Sequence, residues 1–354
     1  MNRPSMRCYQ LTAFGHNLAE TTHLAPEPVG TEVLVRVRGA GVCHTDVHLW
    51  EGHYDLGSGR TLSFADRVKL PLTPGHETAG EVFRAGPEAQ GVTIGAKVLA
   101  CSWIGCRECE ACLAGDEQLC VKPRFLGVNC NGGYADFVMV PHPRYLVDIG
   151  DLDPVTAAPL VCSGITTYAA LKKFGPSLQR SPVVIFGAGG LGLMSLGVLK
   201  MMKGRGAVMV ELDARKREEA LKAGALAVID PKAPNVAQQI RAAVGQPIRH
   251  VLDLVGAGET AALGIELLDK GGKLVIVGLI GGDMNLSVPM VPMKSITIQG
   301  SYVGSPSDLR ELVDLVKVHG IPSMPLDRRP LAAAAGALDD LRHGKVVGRI
   351  VLVP

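Results

Sequence analysis

Val183-Val184-Ile185-Phe186-Gly187-Ala188-Gly189-Gly190-Leu191-Gly192 decides the fold. Its first four residues are apolar and mostly β-branched, as in a strand buried on both faces. The glycines that follow fit Gly-x-Gly-x-x-Gly and open an apolar helical run, Leu191 to Met202. In that order they allow a tight turn, a close approach of the backbone to a ligand and close helix–strand packing, and the free N–H groups of the helix start suit a pyrophosphate. Gly187, Gly189, Gly190, Leu191 and Gly192 are therefore candidate dinucleotide contacts. Glu211 ends the next strand nineteen residues after Gly192, where a carboxylate accepts hydrogen bonds from ribose hydroxyls and repels a 2′-phosphate. That favours NAD over NADP; Arg215 nearby is the feature that suits NADP.

The same alternation extends outward. Strands are expected at 183–186, 207–210, 227–229, 251–255 and 274–277, with helices at 191–202, 214–223, 237–244 and 259–268 between them. Such a pattern implies right-handed crossovers and a buried, doubly wound parallel sheet. A further helix is expected at 166–174, another at 307–319, and a last strand at 348–353. Residues 1 to about 150 have a different texture. Short strands (32–37, 79–83, 96–100, 134–140) broken by Gly and Pro suggest a β-rich domain with chemistry on its loops.

The chain has 354 residues, a formal net charge of +2, 47% hydrophobic and 20% charged residues, which fits about two globular domains. The near-neutral balance gives no electrostatic case for nucleic acid or an anionic membrane. No apolar run reaches the roughly 20 residues of a membrane-spanning helix, and Met1 to Arg7 lacks the apolar core of a signal peptide, so a cytoplasmic location is expected. Nine cysteines cannot all pair, and four of them, Cys106, Cys109, Cys112 and Cys120, fall within fifteen residues. That spacing suits a closed tetrahedral zinc site with no position for water, hence a structural one, in a lobe spanning about 101–123. A redox Cys-x-x-Cys pair is the alternative, without the βαβ context it needs.

Three further segments, Cys43-His44-Thr45-Asp46-x-His48, Gly75-His76-Glu77 and Leu160-Val161-Cys162-Ser163-Gly164, offer two thiolates and one imidazole on separate loops. This is the incomplete shell of a catalytic zinc. Taken together the segments resemble the zinc-dependent alcohol dehydrogenases of the medium-chain dehydrogenase/reductase superfamily, over nearly the whole chain. The resemblance implies a GroES-like β-barrel catalytic domain (1–163), a six-stranded Rossmann domain for NAD (164–302) and a return to the catalytic domain (303–354).

It also implies roles. Cys43, His76 and Cys162 would bind the catalytic zinc, with Glu77 as an occasional ligand and Cys106, Cys109, Cys112 and Cys120 around a second, structural zinc. Asp46 would hold the other ring nitrogen of His76. Thr45 would take the alcohol proton and pass it by way of the nicotinamide ribose to His48. His44 and Arg349 would neutralise the pyrophosphate, Lys216 would meet the ribose, and Val277 and Leu279 would present backbone to the nicotinamide. Trp50 and Trp103 would wall the substrate pocket, unless they are ordinary core residues. The implied reaction is reversible oxidation of an alcohol by NAD, in a homotetramer or homodimer paired through the edge around 295–303. A polyol-type or NADP-preferring dehydrogenase and a non-catalytic zinc- and dinucleotide-binding protein are the competing readings.

One segment departs from the short microbial members: 52–74 is about ten residues longer. Lying between two expected ligands, it should rim the substrate entrance. Arg60, Arg67 and Lys69 on it would hold the carboxylate of an ω-hydroxy acid, or else the loop only shapes room for a medium-chain primary alcohol, or is merely solvated. At Gly304-Ser305-Pro306, where such members often carry arginine, no cofactor contact is expected.

Overall fold

The computed structural model describes residues 3–354. Met1 and Asn2, which begin the segment read above for a signal core, lie outside them. Two large sheets organise the chain. One is six-stranded and wholly parallel, in the spatial order Ala227–Ile229, Ala207–Val210, Val183–Phe186, His250–Asp253, Lys273–Ile276 and Thr297–Gly300. Its central strands are buried along their whole length, which is why the sequence there is continuous Val, Ile and Leu rather than alternating. Helices Gly190–Met201, Ala214–Lys222, Val236–Val244 and Gly258–Leu267 make the crossovers. The strand order reverses between Val183–Phe186 and His250–Asp253, and a crevice opens beyond their carboxyl ends.

The other sheet runs Leu326–Pro330, Arg349–Val353, Val33–Val42, Glu77–Ala85, Lys97–Ala100 and Leu146–Asp148, with Phe137–Val140 added on Val33–Val42. Ile350 pairs with Val42 and Leu352 with Ala40, so the last strand returns to this second sheet and sets Arg349 beside the start of the 43–48 segment. Gly41 faces Glu77 across the ladder, and a Cβ on Gly41 would overlap the Glu77 carboxylate. A glycine here is what allows an acid to fold back into the sheet. The 305–308 turn serves the helix Pro306–His319: Ser305 Oγ accepts from Asp308 N (3.1 Å) and Asp308 accepts from Ser305 N (2.8 Å).

Several elements were not expected. Ser5–Gln10 and Ala19–Leu24 form a hairpin, as do His53–Asp55 and Thr61–Ser63 within the long 52–74 segment. The helix Ala334–Arg342 arises from an alanine run whose periodicity is weak to the eye although Ala is the best helix former. No single helix among the described residues is long and apolar enough to cross a membrane.

Candidate active site

The strand Val33–Val42 ends at Cys43, the N-cap of the helix His44–Glu51. Asp46, at the third helical position, accepts the Cys43 backbone N–H at 2.9 Å, fixing the turn that aims the thiol inward. The same buried carboxylate accepts from Gly75 N (3.3 Å), His76 Nδ1 (3.2 Å) and Tyr134 Oη (3.0 Å). With its Nδ1 so engaged, His76 turns Nε2 the other way, where it is buried and has no hydrogen-bond partner. An unpaired buried nitrogen costs about 1–3 kcal/mol unless something else meets it.

What surrounds it fits a metal. Cys43 Sγ and Cys162 Sγ stand 3.8 Å apart, and the ligand atoms of Cys43, His76, Glu77 and Cys162 all lie within 4.8 Å of one another. Thiolates about 2.3 Å from zinc in a tetrahedron are spaced roughly 3.8 Å. As a close pair these sulfurs share a proton, which holds the Cys43 thiol well below the ordinary range and Cys162 well above it. Coupling to Asp46 raises His76 well above the usual imidazole value, although burial alone would lower it. A donor set of two thiols and one imidazole oriented from behind by a carboxylate is a zinc set.

Glu77 is wholly buried but does not stand free. Arg349 Nε donates to its Oε2 at 3.1 Å and Nη2 to its Oε1. Burial pushes the Glu77 carboxyl up to about 7, against the opposing pull of Arg349. The guanidinium also abuts the glycine turn, since a Cβ on Gly190 would meet Arg349 Nη1 at 3.0 Å. One side chain thus touches both the metal cluster and the expected pyrophosphate turn.

In the second cluster the Cys106 and Cys112 sulfurs are 3.9 Å apart and those of Cys109 and Cys120 4.0 Å. Backbone N–H groups of Cys106 and Lys122 point at Cys120 Sγ (3.1 and 3.3 Å), as thiolates require. Sequence reasoning missed Glu117. Its buried carboxylate accepts from Gly105 N (3.0 Å), Arg144 Nη2 (2.6 Å) and Tyr145 Oη (2.5 Å), tying the lobe to the body.

At the crevice, Gly187 has φ +92°, and a Cβ on Gly192 would overlap the Gly187 carbonyl oxygen. The helix that follows is N-capped by Gly189, with no side-chain cap, leaving its first N–H groups for a ligand. Glu211 accepts from Ala188 N (2.7 Å) and Asp213 N (2.9 Å), so its carboxylate is locked beside the turn. Arg215 is drawn to Asp213 instead, with Nη2–Oδ2 at 2.7 Å, and holds that acid down at about 2. Lys216 lies on the same helix, His44 is exposed at the start of its own, and Val277 N donates to Asp253 O (2.8 Å).

A cavity of about 470 Å³ opens beside Thr45. Its walls include Tyr54, Phe64, Val68, Phe125, Leu279 and Tyr302, with Arg67 at one side. Trp103 stands behind this wall: its ring is 5.1 Å from Phe125, 5.6 Å from His76 and 6.0 Å from Tyr302, and Nε1 donates to Val161 O. Trp50 is not a wall of it. Its Nε1 donates to His16 O (2.7 Å) and its ring carries the Arg342 guanidinium at 4.9 Å, in a separate crevice. Helical geometry explains the correction. Thr45 and His48 are three residues apart and share a face, whereas Trp50, five after Thr45, is turned about 140° away. Tyr54, from the unexpected hairpin, takes the wall position, its ring 4.8 Å from the His48 ring. Of the three loop cations, only Arg67 lines the cavity; Arg60 faces Asp283 at 3.6 Å, and Lys69 is exposed outside the lining.

Residues 30–151 match the family model described as alcohol dehydrogenase GroES-like domain, and residues 190–318 the one described as zinc-binding dehydrogenase. The chain is 37% identical, over 99% of its length and 100% of the relative's, to an NAD-dependent alcohol dehydrogenase of Sulfurisphaera tokodaii. It is 32% identical over 93% of its length, and 92% of the relative's, to an NADP-linked D-arabinose 1-dehydrogenase of Saccharolobus solfataricus. Among solved structures, the alcohol dehydrogenase of Aeropyrum pernix superposes with a TM-score of 0.88 at 31% identity, covering 98% of this chain and 100% of that one. On its two matched halves and these full-length relatives, the chain belongs to the zinc-dependent alcohol dehydrogenases of the medium-chain dehydrogenase/reductase superfamily.

Proposed function

We propose that this alcohol dehydrogenase interconverts a medium-chain primary alcohol and its aldehyde with NAD, and that its preferred substrates carry a carboxylate at the far end. The observation that carries the active-centre reading is the partnerless, buried Nε2 of His76 set among two sulfurs 3.8 Å apart and a carboxylate. Cys43, His76 and Cys162 would hold one zinc, and Cys106, Cys109, Cys112 and Cys120 a second. When bound, zinc acidifies the alcohol hydroxyl and NAD accepts the hydride.

The rest is the work of this chain. Asp46 keeps a hydrogen on His76 Nδ1 and so leaves Nε2 its lone pair. Thr45 Oγ1, on the cavity wall, accepts the alcohol proton and passes it by way of the cofactor ribose towards His48. Glu211 receives the adenosine ribose hydroxyls with Lys216 beside it, and Arg215, the residue that would suit a 2′-phosphate, is paired with Asp213. The Gly187–Gly192 turn, His44 and Arg349 meet the pyrophosphate, and the backbone at Val277 and Leu279 meets the nicotinamide. Glu77, paired with Arg349, would serve as the occasional further ligand. Mostly apolar walls exclude water and favour an alkyl chain, while Arg67 is the one cation in the cavity lining, which also holds Asp55.

The domain limits 1–163, 164–302 and 303–354, a homotetramer and a cytoplasmic location belong to the same proposal. The test is zinc content per subunit together with initial rates of NAD and NADP reduction over primary alcohols of increasing length, with and without a terminal carboxylate. Two zincs, NAD-linked turnover and a gain with length and carboxylate support the reading. One zinc and no turnover overturn it.

A further inference from the structure

The hairpin His53–Asp55/Thr61–Ser63 follows the helix that carries Thr45 and turns at the tip 56–60. Gly57 (φ +79°), Ser58 (φ +50°) and Gly59 (φ +72°) are all left-handed there, a conformation that costs a serine energy and has to be held by its neighbours. Gly57 N donates to Asp55 Oδ1 (2.8 Å), Leu56 N to Arg60 O (2.9 Å) and Arg60 N to Gly57 O (3.0 Å). The tip so shaped turns Ser58 towards the domain of the parallel sheet, where its Oγ donates to Asp283 Oδ2 at 2.5 Å. The backbones close in as well. A Cβ on Gly57 would meet the Asp283 carboxylate at 2.7 Å, and one on Gly281 would meet Asp55 O at 2.6 Å. The loop 278–283 has its own support, since Gly281 N donates to Gly256 O (3.0 Å).

This seam between the two domains borders the substrate cavity. Tyr54, Asp55 and Leu56 line the cavity from the hairpin, Leu279, Gly281 and Gly282 line it from the glycine loop, and Ser58 and Asp283 meet just outside that lining. Tyr54 lies against His48, and the strand advances about 3.3 Å per residue beyond it, so the seam adjoins the part of the cavity away from Thr45. A two-carbon alcohol held at Thr45 stops short of the seam, whereas a six-carbon chain runs along it. We propose that Ser58 and Asp283 form a clasp that determines the preference for chain length: their bond holds the hairpin wall against the glycine loop, and the closed seam covers the outer methylenes of the substrate. A hydroxyl donating to a carboxylate is the strong member of this contact. Arg60, 3.6 Å from Asp283 with the two side chains 68% and 49% exposed, adds little.

The test is the zinc-loaded enzyme with NAD on ethanol and on 1-hexanol, comparing the parent with Asp283→Ala, Ser58→Ala and Asp283→Asn. Each methylene left uncovered costs about fourfold in binding, so both alanine variants are expected to lose about four- to fifteenfold in kcat/KM for 1-hexanol. The loss should appear in KM with kcat unchanged, because the alkyl chain is covered equally before and during hydride transfer. Ethanol should stay within about twofold, as should zinc content and melting temperature stay at the parent's values. Asp283→Asn still accepts from Ser58 and should keep the parent's ratio of 1-hexanol to ethanol. An equal loss on both alcohols, a kcat raised on both, a ratio unchanged by either alanine, or a loss in Asp283→Asn as large as in Asp283→Ala would each overturn the proposal. It rests on the dehydrogenase reading, whose own failure differs: the parent enzyme would then show no turnover at all.

Discussion

The two clusters of metal-binding side chains are built in opposite ways. Cys106, Cys109, Cys112 and Cys120 come from one short lobe, half of them partly exposed, with exposed Leu113 and Val121 between and beyond them. The sulfurs and the Glu117 strut are what tie its loops together. Cys43, His76, Glu77 and Cys162 span 119 residues between Cys43 and Cys162 and are all buried. They meet because three chain segments converge where Val33–Val42 and Glu77–Ala85 end on a shared ladder. The first cluster therefore supports the fold around it, whereas the second is held by the fold and has donors poised before any metal arrives. One is expected to matter for stability and the other for chemistry.

That contrast breaks if either cluster behaves like the other. The largest effect is expected for His76→Ala or Cys162→Ser, which should drop zinc from two to one per subunit and turnover by more than about 10⁴-fold, with folding retained. Measuring metal and activity on the same sample checks it. Thr45→Ala comes next: both zincs stay and kcat falls about 10²- to 10⁴-fold, and loss of metal would refute the relay role. Asp46→Asn should weaken zinc affinity about 10- to 100-fold, seen by competition with a chelator, since one of its four hydrogen bonds orients His76. Cys109→Ser is the converse case. It should lower the melting temperature by roughly 10 °C and leave the rate per folded, metal-loaded subunit within a few-fold. The smallest effect belongs to Arg67→Ala, expected to reduce kcat/KM about tenfold for ω-hydroxy acids and hardly at all for neutral alcohols of the same length.

How far each cluster could be read from sequence follows from the same contrast. The four-cysteine lobe is local, so spacing alone announces it. The parallel sheet is legible for a related reason: buried strands and crossover helices repeat a hydrophobic pattern, and Val183–Phe186 ahead of its glycines starts it. The ligands of the other cluster needed a family resemblance, because no period links residues on three distant loops. Glu77 and Arg349, 272 residues apart, show what remained hidden, a contact made by an antiparallel return that nothing near either residue signals. The hairpin His53–Asp55/Thr61–Ser63 was hidden too, its strands being three residues each and largely exposed. Missing it sent the pocket wall to Trp50 rather than Tyr54. Tryptophan is the conspicuous residue in the segment, but the helix turns it away.

The most direct test of the division of labour is zinc per subunit in the parent chain and in Cys162→Ser, with melting temperature recorded on both. The account predicts two zincs falling to one with the melting temperature nearly unchanged. One zinc in the parent, or two in the variant, would contradict it.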